Sequence, residues 1–261
     1  MNKHTDLQAF WHLQEGRRSA ATAARQAAKA RTAQSVREVL ASAHLYLADH
    51  LRAHGFHHRS RRNYLYRRSD GITHRIVFQT SDANLSDQFI ALYILFHVVS
   101  HEFAAWRHQH GEPHIELISH RSLANFEPGV ITIEHDLGPP SKRQGELEDA
   151  LRRIQEHGLE YFAQFSDKQA SLASAEAWPS SGFARYEVRA AVEFALFQGR
   201  QDVAELIADR FFRLYPKQIA HYQEFAAGRR IHPSPDGADV FAWDLAQVAA
   251  RHGLNHPPSA A

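Results

Sequence analysis

RNYLYRRSDGITHRIVFQT, residues 62–80, is the stretch whose reading decides the fold. Two short runs rich in aromatic and β-branched residues flank Ser69-Asp70-Gly71, a turn signal. The pattern predicts an antiparallel hairpin, roughly residues 62–68 and 73–80. Downstream, FIALYILFHV (89–98) reads as a third strand buried on both faces, or else as a buried helix. HIELISH (114–120) and VITIEHD (130–136) add two strand candidates, with Glu127-Pro128-Gly129 as a turn between them.

Helical patterns surround this block. SVREVLASAHLYLADHLRAHGF (35–56) places Val36, Val39, Leu40, Ala43, Leu47 and Leu51 at helical spacing. Ser35 is its natural cap, and Gly55 ends it. ELEDALRRIQEHGLEYFAQF (146–165) is helical, interrupted at Gly158. A helical hairpin follows over 185–216, broken at Gly199 and stopped by Pro216, and a last helix runs to Gly253. Helix, strands, then helices is the order of an α+β fold. The expected architecture is an antiparallel sheet of about five strands covered by helices, with a C-terminal helical extension. The division it implies is an N-terminal helical arm (1–34), an α+β domain (35–176) and a C-terminal helical part packed on it (177–261).

Composition narrows the functions. The 261 residues carry a formal charge of +1, with 30 Lys and Arg against 29 Asp and Glu. No global basic field grips nucleic acid. Protonation of the 20 histidines adds positive charge steeply below about pH 6.5. There is no cysteine, which excludes disulfides, thiolate catalysis and Cys-containing zinc sites. No run approaches the roughly 18 apolar residues of a membrane span. The N-terminus lacks the apolar core of a secretory signal. The expectation is a soluble, cytoplasmic protein with no membrane partner.

The candidate binding patch is Arg59, Arg61, Arg62, Tyr64, Tyr66, Arg67 and Arg68, together with Trp106. Between Arg52 and Arg75 the only carboxylate is Asp70. Arginine and tyrosine are common anchors of protein interfaces. The same residues neutralise phosphates and stack bases, so nucleic acid is an alternative partner.

Histidines crowd the stretch HVVSHEFAAWRHQHGEPHIELISH (97–120), and zinc is the cofactor they suggest. On a helix, His97 and His101 share a face about 6 Å apart along the axis, which is ligand spacing. On a strand the same four residues span about 13 Å, too far for one ion. His108 and His110 on a strand edge lie about 6.6 Å apart. Glu102 lies outside the His97–His101 pair, so the metalloprotease arrangement does not transfer. No nucleophile motif or phosphate loop is present. A metal-dependent hydrolase is therefore an alternative, and a protein without cofactor is preferred.

Several of these motifs resemble a known bacterial family. Gly55-Phe56 at a helix end, Asn63-Tyr64-Leu65-Tyr66-Arg67, and Ile76-Val77-Phe78-Gln79-Thr80-Ser81 after Asp70-Gly71 belong to the pattern. So do Gly158-Leu159-Glu160-Tyr161-Phe162 and Phe165-Ser166-Asp167. Over about residues 36–170 the chain resembles domain of unknown function 4304. The resemblance implies no established catalytic residues. It also implies a role like that of immunity proteins, which sequester a toxin by covering its active site. The histidine-rich segment 97–120 and the C-terminal helices depart from that pattern. The reading is thus a non-enzymatic, protein-binding protein.

Overall fold

The protein is described by a computed structural model over residues 34–59, 62–85, 88–180, 182–234, 237 and 239–254. Apart from Gln34, the expected N-terminal arm lies outside the described residues, and so does Arg61. The fold is α+β. The first helix, α1 (Val36–Leu51), starts with a reciprocal cap. The Ser35 N–H donates to Glu38 Oε2 at 2.8 Å, and the Glu38 N–H donates back to Ser35 Oγ at 3.3 Å. Val39, Ala43, Leu47 and Leu51 form its buried stripe.

The sheet is an antiparallel meander: β1 (His57–His58), β2 (Tyr64–Ser69), β3 (Ile72–Thr80), β4 (Ala91–Val99) and β5 (Leu117–Ser122). The hairpin turn is as short as a hairpin allows. Ser69 pairs with Ile72, and Asp70 and Gly71 take φ of 39° and 75°. That left-handed pair matches the twist of the flanking strands.

Buried and partly exposed residues alternate along β3 and β4. The inner face carries Leu65, Ile76, Phe78, Ile94, Phe96 and Ile118, all buried. Thus β4 is a strand with one open face, not one buried on both sides: Tyr93, Leu95 and His97 are partly exposed.

Two other expectations are corrected. The strand expected from His114 begins only at Leu117. Of VITIEHD only β6 (His135–Asp136) forms, and Ile131 is 96% exposed. The cause is the edge of β4. β5 occupies it from Leu95 to Val99, and Ala91 and Leu92 are the positions that pair with β6.

Helices cover the inner face. α3 (Pro140–Arg153) runs through a wide turn at Ile154–Gly158 into α4 (Leu159–Ala163). The helix is not interrupted at Gly158, as its glycine suggests, but continues in widened form. Glycine is required there because a Cβ would lie 2.4 Å from Phe96 Cε1. One turn later Phe162 stacks on His74 and meets Phe96 and Phe56.

The segment between β4 and β5 is a helix, α2 (His101–Gln109), capped by Ser100. Later come α5 (Lys168–Glu176), α6 (Val188–Phe197), α7 (Gln201–Leu214), α8 (Gln218–Ala226) and α9 (Val240–His252). Periodicity did not anticipate α5 and α8. α6 packs on β5 and α7, while α9 packs on α8 and α6. One continuous cluster of buried side chains runs from Val39 to Leu254. Among the described residues no helix is long and apolar enough to cross a membrane.

Candidate binding face

The outer face of the sheet is where chemistry collects. Register aligns Tyr66 with Arg75, Arg75 with His97, and His97 with His120. A second row runs Tyr64, Val77, Leu95, Ser122. Four strands at about 4.8 Å spacing make each row about 14 Å long. Tyr186, just before α6, extends the first row, its ring 5.6 Å from that of His120. Tyr64, Tyr66, Val77, Tyr93 and Leu95 neither belong to the core cluster nor pack against it.

At one end of this face is a cleft of about 300 Å³ lined by Arg59, Arg62, Arg68, Arg75, Tyr64 and Tyr66. Arg75 lies 5.2 Å over the Tyr64 ring, and Arg68 lies 5.7 Å over that of Tyr66. Among the described residues Glu116 is the one carboxylate in the lining. It accepts from Arg75 Nη2 at 2.8 Å and lies 2.8 Å from His101 Nδ1. The side chains of Arg59, Arg62 and Arg68 form no ion pair among the described residues. The cleft thus presents four guanidiniums, one of them neutralised, beside two tyrosine rings.

Two residues of the expected patch are elsewhere. Arg67 points to the inner face, because neighbours on a strand alternate. It lies 5.0 Å over the Phe56 ring and donates to the His54 carbonyl at 3.2 Å. Arg67 also donates to His74 Nδ1, so His74 Nε2 carries the proton given to the Phe165 carbonyl at 2.8 Å. Burial, with the Arg67 charge beside it, holds the His74 pKa down to about 4. Trp106 is on α2, stacked on His252 at 5.1 Å and Phe103 at 6.0 Å. It fastens α9 to α2 and takes no part in the cleft.

The histidines do not converge on an ion. His97 is on β4 and His101 opens α2, so the shared helical face does not exist. His108 is on α2 and His110 is its C-cap, so neither sits on a strand edge. The His110 ring instead lies 4.6 Å from Trp106 and 4.9 Å from His252. His97 faces His120 at 6.2 Å. Burial, then the charges of His120 and Arg75, lowers its pKa to about 4. Among the described residues no group of three or more His, Asp or Glu is placed to hold a metal ion.

Sequence reasoning misses Arg75, Glu116 and Tyr186, and takes His120 only as a possible further metal ligand. Arg75 was within reach: a two-residue turn at Asp70-Gly71 sets it opposite Tyr66. Glu116 and Tyr186 depend on long-range packing that no local pattern encodes. Comparison with protein-family models, curated proteins and solved structures finds no match to this chain.

Proposed function

We propose that this chain is a non-enzymatic binding protein whose outer sheet face takes an acidic protein partner. The observation that carries the reading is the cleft of four arginines around two tyrosines, three of the arginines with no carboxylate partner among the described residues. Such groups steer an anionic surface and anchor it once water is displaced. The resemblance to domain of unknown function 4304 supports an immunity-type role in the bacterial cytoplasm. There the face covers a toxin's active site and no bond is made or broken.

A second reading is favoured by the aromatic and cationic row Tyr66, Arg75, His97, His120. Sheet faces of this kind stack the bases of single-stranded nucleic acid. The near-neutral net charge weighs against it.

Calorimetric titration of the full chain at low salt, with poly-glutamate and with oligo-thymidylate, tests both. The first reading predicts poly-glutamate binding that weakens at least about tenfold in Arg62→Glu/Arg68→Glu. Tighter, strongly salt-dependent binding of the oligonucleotide transfers the face to nucleic acid. Indifference to both polyanions removes the face as a binding site.

A further inference from the structure

A groove of about 630 Å³ runs beside α1, against the start of β2. Val36, Leu40 and Leu45 supply its apolar wall, and Leu45 is 54% exposed. From Val36 to Leu45 the helix rises about 13 Å, two and a half turns. His44 forms part of the floor, stacked on Phe78 at 4.5 Å. Its Nε2 is buried and has no hydrogen-bond partner among the described residues. Burial, with His58 nearby, lowers the His44 pKa to about 4, so the ring is neutral at neutral pH.

The charge on this groove therefore comes from Arg37 and Arg62. Among the described residues neither makes an ion pair, and no carboxylate lines the groove. Arg62 also lines the cleft on the outer face. Groove and cleft are thus one surface with an apolar strip and a cationic flank, the layout of a protein interface.

We infer that the groove beside α1 docks an amphipathic helix of the partner, with aliphatic side chains on Leu40 and Leu45 and carboxylates toward Arg37 and Arg62. The inference rests on the reading of the chain as a binder of an acidic protein. Three features select a helix. The groove-lining residues of α1 form two rows at i, i+4 spacing, Val36-Leu40-His44 and Arg37-Ala41-Leu45, so a second helix lying along them meets them with anchors three and four residues apart. The neighbouring edge strand β1 is only two residues long, a poor template for strand addition. The unpartnered His44 Nε2 gives a polar side chain among the docked leucines a place to bond, which sets register.

The test is fluorescence anisotropy with two labelled helical peptides. Both carry leucines at every third and fourth position; one has glutamate elsewhere and the other lysine. The acidic peptide binds the full chain, and the basic one binds at least about tenfold more weakly. Leu45→Asp, an exposed position that leaves the core intact, weakens the acidic peptide by about tenfold or more. Arg68→Glu, in the cleft alone, changes it by less than about threefold.

Equal binding of the two peptides, or indifference to Leu45→Asp, overturns the inference. So does stoichiometric displacement by decanoate, which reassigns the groove to small amphipathic acids. Poly-glutamate bound at the cleft and lost in Arg62→Glu/Arg68→Glu, with no peptide at the groove, removes this inference alone. Absence of both interactions removes the acidic-partner reading as well.

Discussion

The two faces of one sheet treat the same residue types in opposite ways. Arg67 and Arg68 are adjacent, yet Arg67 is held by Phe56, the His54 carbonyl and His74. Arg68 touches the ring of Tyr66 and has no ion pair among the described residues. His74 on the inner face has both ring nitrogens engaged, whereas His97 on the outer face meets His120 edge to face. A polar group withdrawn from water must find partners, and the inner face supplies them within the chain. The outer face leaves the guanidiniums of Arg59, Arg62 and Arg68 without a carboxylate among the described residues, which is what a surface for an acidic molecule requires.

The contrast is open to attack first through stability. Phe96 and Leu95 are neighbours on β4, one fully buried and one partly exposed. Phe96→Ala is expected to cost about 3–5 kcal/mol, because a large side chain leaves a cavity between Phe162, Tyr161 and Phe126. Leu95→Ala is expected to cost about 1 kcal/mol. Urea denaturation measures both, and similar costs would mean that something covers the outer face.

A smaller effect follows from pH. The native pKa of His74 lies below its unfolded value of about 6.5. Below pH 6.5 the unfolded chain therefore binds a proton that the native chain refuses. Stability is fully present above about pH 6.5 and is lost as pH falls toward about 4, with a slope of up to about 1.4 kcal/mol per pH unit for this group. His44 and His97 act in the same direction. His74→Gln is expected to flatten the dependence of the urea midpoint on pH between 7 and 5; an unchanged slope would place the proton elsewhere.

The smallest stability effect belongs to the outer arginines. Arg62→Glu/Arg68→Glu is expected to alter unfolding free energy by no more than about 0.5 kcal/mol while weakening poly-glutamate binding at least about tenfold. A larger destabilisation would show that these side chains hold the fold together and are not reserved for a partner.

Much of this contrast was legible in the sequence, and the limits are physical. The hairpin was readable because Ser69-Asp70-Gly71 and alternation act locally. α1 was readable because Ser35, the Val39–Leu51 stripe and Gly55 agree with one another. Alternation alone separates Arg67 from Arg68, yet charge clustering had joined them in one patch. VITIEHD has strand propensity throughout, but strand pairing needs an open edge, and β5 had taken most of it. For His97–His101 the sequence leaves helix and strand open, although Ser100, a helix cap, and the Glu102 that follows it favour a helix from His101 onward. Among the described residues groove and cleft join through Arg62, a meeting of α1 with the approach to β2 that no spacing in the chain announces.

The most direct measurement is the rate at which phenylglyoxal modifies each arginine, read by peptide mass mapping with and without poly-glutamate. Arg62 and Arg68 should react quickly and be protected by the polyanion, while Arg67, adjacent to Arg68, should react slowly in either case. Equal reactivity of Arg67 and Arg68, or fast modification that poly-glutamate does not slow, would contradict the assignment of the outer face to an acidic partner.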